Sequence, residues 1–219
     1  MIFLASGLLL ALSPVYATPL APGTTVPGGG DVFGALTGLT LLNSTSGSGV
    51  GSDFTATYTD AVYSGDSTNL WGGLDFVITV TNTTATPPGT ALERVTNGAF
   101  GNVLTDVGFA TSVNGTLAPG TTPTTAVTRS LEITTGTGNT VGFDFTSPAG
   151  LNPGNSTEYL VIKTNASSYN AGTLGIIDSS GATVAGFAPV PEPMTMGLLG
   201  GGLLLLGLLG YRRRKAVKL

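Results

Sequence analysis

The feature that most limits how this chain can fold is a period of two. From Phe54 onward, Phe54, Ala56 and Tyr58 alternate with Thr55, Thr57 and Thr59. Leu74, Phe76, Ile78 and Val80 alternate with Asp75, Val77, Thr79 and Thr81, and Val141, Phe143 and Phe145 with Gly142 and Asp144. Successive side chains of a strand point to opposite faces, so this pattern sets one face on a core and leaves the other in water, as antiparallel sheet does. Further strands are predicted over 92–96, 106–112, 127–134, 158–164, 173–178 and 182–187. Between them lie Ser64-Gly65-Asp66, Pro87-Pro88-Gly89, Asn97-Gly98, Asn114-Gly115, Pro119-Gly120, Gly136 to Asn139 and Asn152-Pro153-Gly154, all turn-forming. No segment between the termini has helical periodicity. Short strands with this punctuation predict an all-β ectodomain, an antiparallel β-sandwich, over 31–190. Residues 18–30, rich in Pro and Gly and without apolar periodicity, read as a flexible lead-in.

Composition narrows the chemistry. The chain has no cysteine and no histidine, which removes disulfides, thiolate and imidazole metal sites, and every Ser-His-Asp or Cys-His arrangement. Charged residues are 9% of the chain, against about 25% in ordinary soluble proteins, so Thr, Ser, Asn and Gly supply most of the polar surface. Before the C-terminal cluster the cations are Arg94, Arg129 and Lys163. Nucleic-acid binding, which rests on phosphate neutralisation, is not expected. No cofactor is implied.

The two ends have a different character. Ile2 to Leu12 is apolar and is followed by Ser13-Pro14 and Val15-Tyr16-Ala17; small residues at −3 and −1 suit signal peptidase, so 1–17 is predicted to be a signal peptide cleaved after Ala17. No Lys or Arg precedes the apolar stretch, which fits a start upstream of Met1 or a weak leader. At the other end stand Pro191-Glu192-Pro193, the uncharged run Met194 to Gly210, Tyr211, and then Arg212, Arg213, Arg214 and Lys215. A helix over 194–211 is just long enough to cross the hydrocarbon core. The cations of the tail, 212–219, stop it and hold that end in the cytoplasm. The two prolines keep Val190 to Pro193 extended and outside the helix.

In order and spacing, 191–219 resembles the PEP-CTERM sorting signal of exported Gram-negative proteins. The resemblance implies transient anchoring in the inner membrane, processing by an exosortase that reads the motif Pro191, Glu192 and Pro193, and a final place at the cell surface or in the exopolysaccharide matrix. A permanent single-span anchor is the other reading of the same residues. Leu74-Asp75-Phe76-Val77, Val80-Thr81-Asn82, Thr105-Asp106-Val107-Gly108, Leu160 to Ala166 and Tyr169 look like a domain recurrent among such proteins, for which the resemblance implies no activity.

Within the ectodomain the candidates for chemistry are few. Glu93, Glu132 and Glu158 are the carboxylates from which a hydrolase would draw an acid/base pair. Lys163 is the lysine available to a Ser-Lys dyad. Asp53, Asp60, Asp66 and Asp75 offer hard oxygen ligands for calcium, but at a spacing that matches no loop motif. Trp71 with Tyr58 and Tyr63 would make a stacking platform for a sugar ring. The expectation is a non-enzymatic surface or matrix protein without catalytic residues or a metal site, with a carbohydrate-binding adhesin module or a carboxylate hydrolase as alternatives.

Overall fold

A computed structural model describes residues 19–85, 90–120, 124–130, 139–145 and 150–191. The predicted leader, Glu132, Glu192, Pro193, the helix over 194–211 and the basic tail lie outside the described residues. Among the described residues no helix is long and apolar enough to cross a membrane.

The domain is all-β and built as two sheets. One has the order β2(Asp31–Leu36), β7(Thr105–Val113), β11(Tyr159–Thr164), β5(Asp75–Asn82), β4(Thr55–Ser64), β3(Thr40–Val50), with β8(Thr116–Leu117) added beside β7. The second runs β1(Thr25–Pro27), β9(Ala126–Arg129), β10(Val141–Asp144), β6(Arg94–Asn97), β12(Ser168–Ile177), β13(Gly181–Val190). Phe76, Ile78, Val80, Leu160 and Ile162 of the first sheet meet Val95, Val127, Val141, Phe143, Leu174 and Ile176 of the second in one continuous buried core. That contact makes the pair a β-sandwich.

Each predicted strand has a counterpart, although 127–134 is described only in part. Asn114-Gly115 makes the β7–β8 hairpin with φ values of 48° and 81°, the left-handed pair that a two-residue type I′ turn requires. Three features differ from the expectation. β2 pairs with β7 in parallel, so the first sheet is mixed. Strands also occupy 25–27, 31–36, 40–50 and 116–117, where weak alternation gave no signal. Finally, the expected lead-in is partly built in. Leu20 is buried, and its carbonyl accepts from the buried Arg129 guanidinium, which also donates to Thr105 Oγ1 and to the carbonyls of Phe100 and Val103. One buried cation thus fastens three segments at one end of the sandwich.

The second face of the first sheet is not the wet face that alternation implies. β2 and β3 lie at opposite edges of that sheet, yet Thr37, Gly38 and Leu39 alone join them. Four peptide steps reach at most about 14 Å, whereas five interstrand steps of a flat sheet would need roughly 24 Å. The sheet must therefore curl until its edges approach. Leu36, Leu39, Val77, Ala110, Val113 and Val161 pack on its concave side, and the Asn114 side chain pins the link by bonding both the amide and the carbonyl of Leu39, at 3.0 and 2.8 Å.

Candidate functional site

Beside that apolar patch, the concave side holds a buried ionic cluster centred on Lys163. In the sheet register Lys163 stands opposite Asp75 on one neighbouring strand and opposite Asp106 on the other. All three are buried, at 0, 2 and 3% exposure for Asp75, Lys163 and Asp106. The connection from β4 to β5 folds over them. From it Asp66 brings Oδ2 to 2.7 Å from Lys163 Nζ, and Thr68 accepts a bond from the same ammonium while donating to Asp66 Oδ1. Asn69 ties the connection down, donating to Asp75 Oδ1 at 2.8 Å and to the Thr164 carbonyl while accepting from the Trp71 amide. On the remaining side the Phe33 ring lies 4.2 Å from Nζ, in cation–π contact.

Three acids around one cation, with Asp31 beside Asp106, would carry a large excess of negative charge if all were ionised. They do not ionise alike. Burial, and then the adjoining Asp66 carboxylate, raises Asp75 to about 8, so at neutral pH it keeps its proton. Burial alone would raise Asp66 as well, but bonds from Asp75, Lys163 and Thr68 outweigh it and bring Asp66 down to about 2. Burial and the neighbouring Asp31 raise Asp106 to about 7. The environment thus splits the pair into one carboxylic acid and one carboxylate. The two carboxyl groups bond each other; Asp66 Oδ2 also meets the Lys163 ammonium, whereas Asp75 Oδ2 has no further partner among the described residues. A cleft of about 260 Å³, lined by Asp31, Val32, Phe33, Thr68, Leu70, Asp106 and Lys163, opens on the cluster.

The residues singled out from sequence fall elsewhere or only partly here. Tyr58 is buried in the inter-sheet core, whereas Tyr63 packs on the concave patch. Five positions apart on one strand, they face opposite ways, so they form no common platform with the half-buried Trp71. Of the four aspartates proposed for calcium, Asp66 and Asp75 meet at Lys163. Asp60 points into the core and accepts from the Phe187 amide at 2.7 Å, and Asp53 accepts from Ser179 and Ser180 beyond the sandwich end. Among the described residues no group of three or more Asp, Glu, His or Cys is placed to hold a metal. Glu93 is linked by its backbone to Ile177 and Phe145 on the second sheet, while Glu158 leads into β11 on the first; burial raises Glu158. The hydroxyl beside Lys163 is that of Thr68, not a serine.

Sequence reasoning missed Asp106, Asp31, Thr68, Asn69 and Phe33. A signal for the cluster was present in β11: Tyr159-Leu160-Val161-Ile162-Lys163 is apolar on both faces before its lysine, the mark of a strand covered on both sides. Of the residues on which the domain resemblance rests, all but Tyr169, which lies in β12, fall on or beside the adjacent strands β5, β11 and β7. Comparison with family models, with curated proteins and with solved structures finds no match.

At the other end of the same face, hydroxyls replace charges. Thr57 stands opposite Thr81 and Ser48, and Thr59 opposite Thr79 and Ser46, across β3, β4 and β5. They border a shallow groove of about 440 Å³ that Pro119 closes on one side.

Proposed function

We propose that this is an exported, non-enzymatic protein of the Gram-negative cell surface or extracellular matrix, held transiently in the inner membrane by its C-terminal helix, processed by an exosortase and associated with exopolysaccharide. The observation that carries the reading is the junction at the end of the domain. β13 ends at Val190, and the next residue is Pro191, half-exposed and outside any strand. The Pro-Glu-Pro motif therefore begins directly after the last described strand. A membrane-embedded enzyme needs extended, accessible backbone, and a motif with two prolines supplies it. Glu192→Gln keeps the side-chain size and both prolines while removing the charge. Fractionation and immunoblotting are expected to show unprocessed precursor accumulating in the membrane for Glu192→Gln and normal release for Glu93→Gln. Equal release of both would leave a plain anchor as the better reading.

A second reading, a carbohydrate-binding module, is favoured by the Ser/Thr groove rather than by the aromatic residues. Six hydroxyls in two ranks offer donors and acceptors to a polysaccharide at the spacing of adjacent strands.

A further inference from the structure

We infer that Lys163 and Asp66 are the two halves of an intramolecular isopeptide bond, with Asp75 as the acid that assists its formation. This goes beyond the export reading and does not depend on it. The two side chains stand as reactants: Nζ and Oδ2 are 2.7 Å apart, and the carboxyl carbon is one bond beyond that oxygen. That contact holds the amine beside the carboxyl group it would attack, so that fixed proximity substitutes for high reactant concentration.

The surroundings suit condensation. Both side chains are buried, at 2% relative exposure each, so bulk water is kept from competing with the amine. The Asp75 carboxyl adjoins Asp66, and its Oδ2 has no other partner. Thr68 holds Asp66 Oδ1 through its amide and its hydroxyl, at 2.8 and 2.7 Å, which leaves Oδ2 as the oxygen to depart. Phe33 closes over the amine.

The step balances without any co-reactant. Lys163 ammonium passes one proton to the Asp66 carboxylate, through Asp75, which gives its own proton to Asp66 Oδ2 and takes the lysine's in exchange. Neutral Nζ then attacks Asp66 Cγ. The tetrahedral adduct loses its second N–H proton to Oδ2 by the same carboxyl, the Cγ–Oδ2 bond breaks, and one water leaves through the cleft beside Lys163. Lys-NH3+ and Asp-COO− become a secondary amide and water, and Asp75 ends protonated as it began.

The bond would join the β4–β5 connection to β11, closing a chain segment from residue 66 to residue 163. A covalent link of that kind restricts the unfolded chain as a disulfide does, in a protein whose sequence has no cysteine to make one.

The test is peptide mapping of the purified full chain by mass spectrometry after denaturation and digestion. The expected result is a branched fragment that joins the peptide containing Asp66 to the peptide containing Lys163 and is lighter than their sum by one water. Asp75→Asn keeps both reacting groups and is expected to slow the appearance of that fragment by at least about a hundredfold. Circular dichroism establishes that the variant is folded, and the wild-type measurement stands without it. Linear peptides carrying unmodified Asp66 and Lys163 from folded wild-type protein would overturn the bond. Wild-type rates in folded Asp75→Asn would overturn the role of Asp75.

Discussion

The two faces of the curled sheet are built from the same strands and solve burial in different ways. Toward the second sheet, β5 and β11 present Phe76, Ile78, Val80, Leu160 and Ile162, and the facing strands answer with side chains of the same kind. Toward the concave side they present Asp75, Val77, Lys163 and Val161, covered by β2 and the β4–β5 connection rather than by another sheet. Apolar burial stabilises wherever it occurs, at roughly 25 cal/mol per Å². A buried charge is tolerated only where partners match it. The inner face is therefore set by volume, and the concave face by specific pairing and by which acids keep a proton. Asp60 is the exception that sharpens the contrast: it is a carboxyl on the inner face, fully buried with Oδ1 unpartnered, and burial raises it to about 7.

The largest effect is expected from the volume-controlled face. Phe76 is fully buried and packs edge-on against Phe100, their ring centroids 5.4 Å apart. Phe76→Ala should cost about 3–5 kcal/mol in denaturant unfolding. A loss under about 1 kcal/mol would mean that the second sheet does not bear on this core.

The pH dependence of stability tests both faces at once. Asp60 and Asp75 titrate at about 7 and about 8 in the folded protein, above the ordinary 3.8. Because each binds its proton more tightly when folded, its contribution is complete below about pH 4 and is lost as pH rises through 7 to 8. While it is a free carboxylate, Asp66, held at about 2, works the other way, contributing above about pH 4 and losing that contribution as pH falls toward 2; once joined to Lys163 it would not titrate. The unfolding free energy should therefore be highest near pH 4 and fall toward pH 8, by an amount on the order of a few kcal/mol. Asp60→Asn should flatten that decline; an unchanged slope would assign it to the concave face alone.

A smaller effect is expected at Asp106, which lies opposite Lys163 in the register but is neither reacting group of the proposed cross-link. Asp106→Asn removes the cost of ionising a buried carboxyl beside Asp31, and should stabilise the protein by on the order of 1 kcal/mol at pH 8 and by almost nothing at pH 4. Thermal melts at the two pH values compare the cases directly. The smallest effect belongs to the open end of the concave face. Thr57 and Thr59 are exposed, so replacing both by Ala should change stability by under about 0.5 kcal/mol. If the groove holds polysaccharide, retention on an immobilised exopolysaccharide column should drop nonetheless; unchanged retention would remove the groove from the binding reading.

The strands were legible because alternation is a local property, and the β7–β8 turn because only a few residue pairs tolerate two successive positive φ values. Weakly patterned strands such as Thr40-Leu41-Leu42-Asn43-Ser44-Thr45 escaped, since their pairing with β4 rather than their own sequence holds them in the sheet. The candidate site was legible only in fragments: Asp66, Asp75 and Lys163 were noticed separately, for calcium or for a dyad, and nothing in their spacing places them together.

By itself, the sequence determined the all-β class, the turn positions, the lack of thiol and imidazole chemistry, and the composite tail that follows Val190. These depend on side-chain period, backbone preference and residue type, each of which acts over a few neighbouring positions. The tertiary structure alone decided that the first sheet curls, that β2 enters it in parallel, and that Asp66, 97 residues before Lys163 in the chain, lies against its ammonium. Those outcomes come from a three-residue link too short to cross a flat sheet and from the register of β5, β11 and β7. Both are relations between distant segments, which come to exist only when the chain has closed on itself.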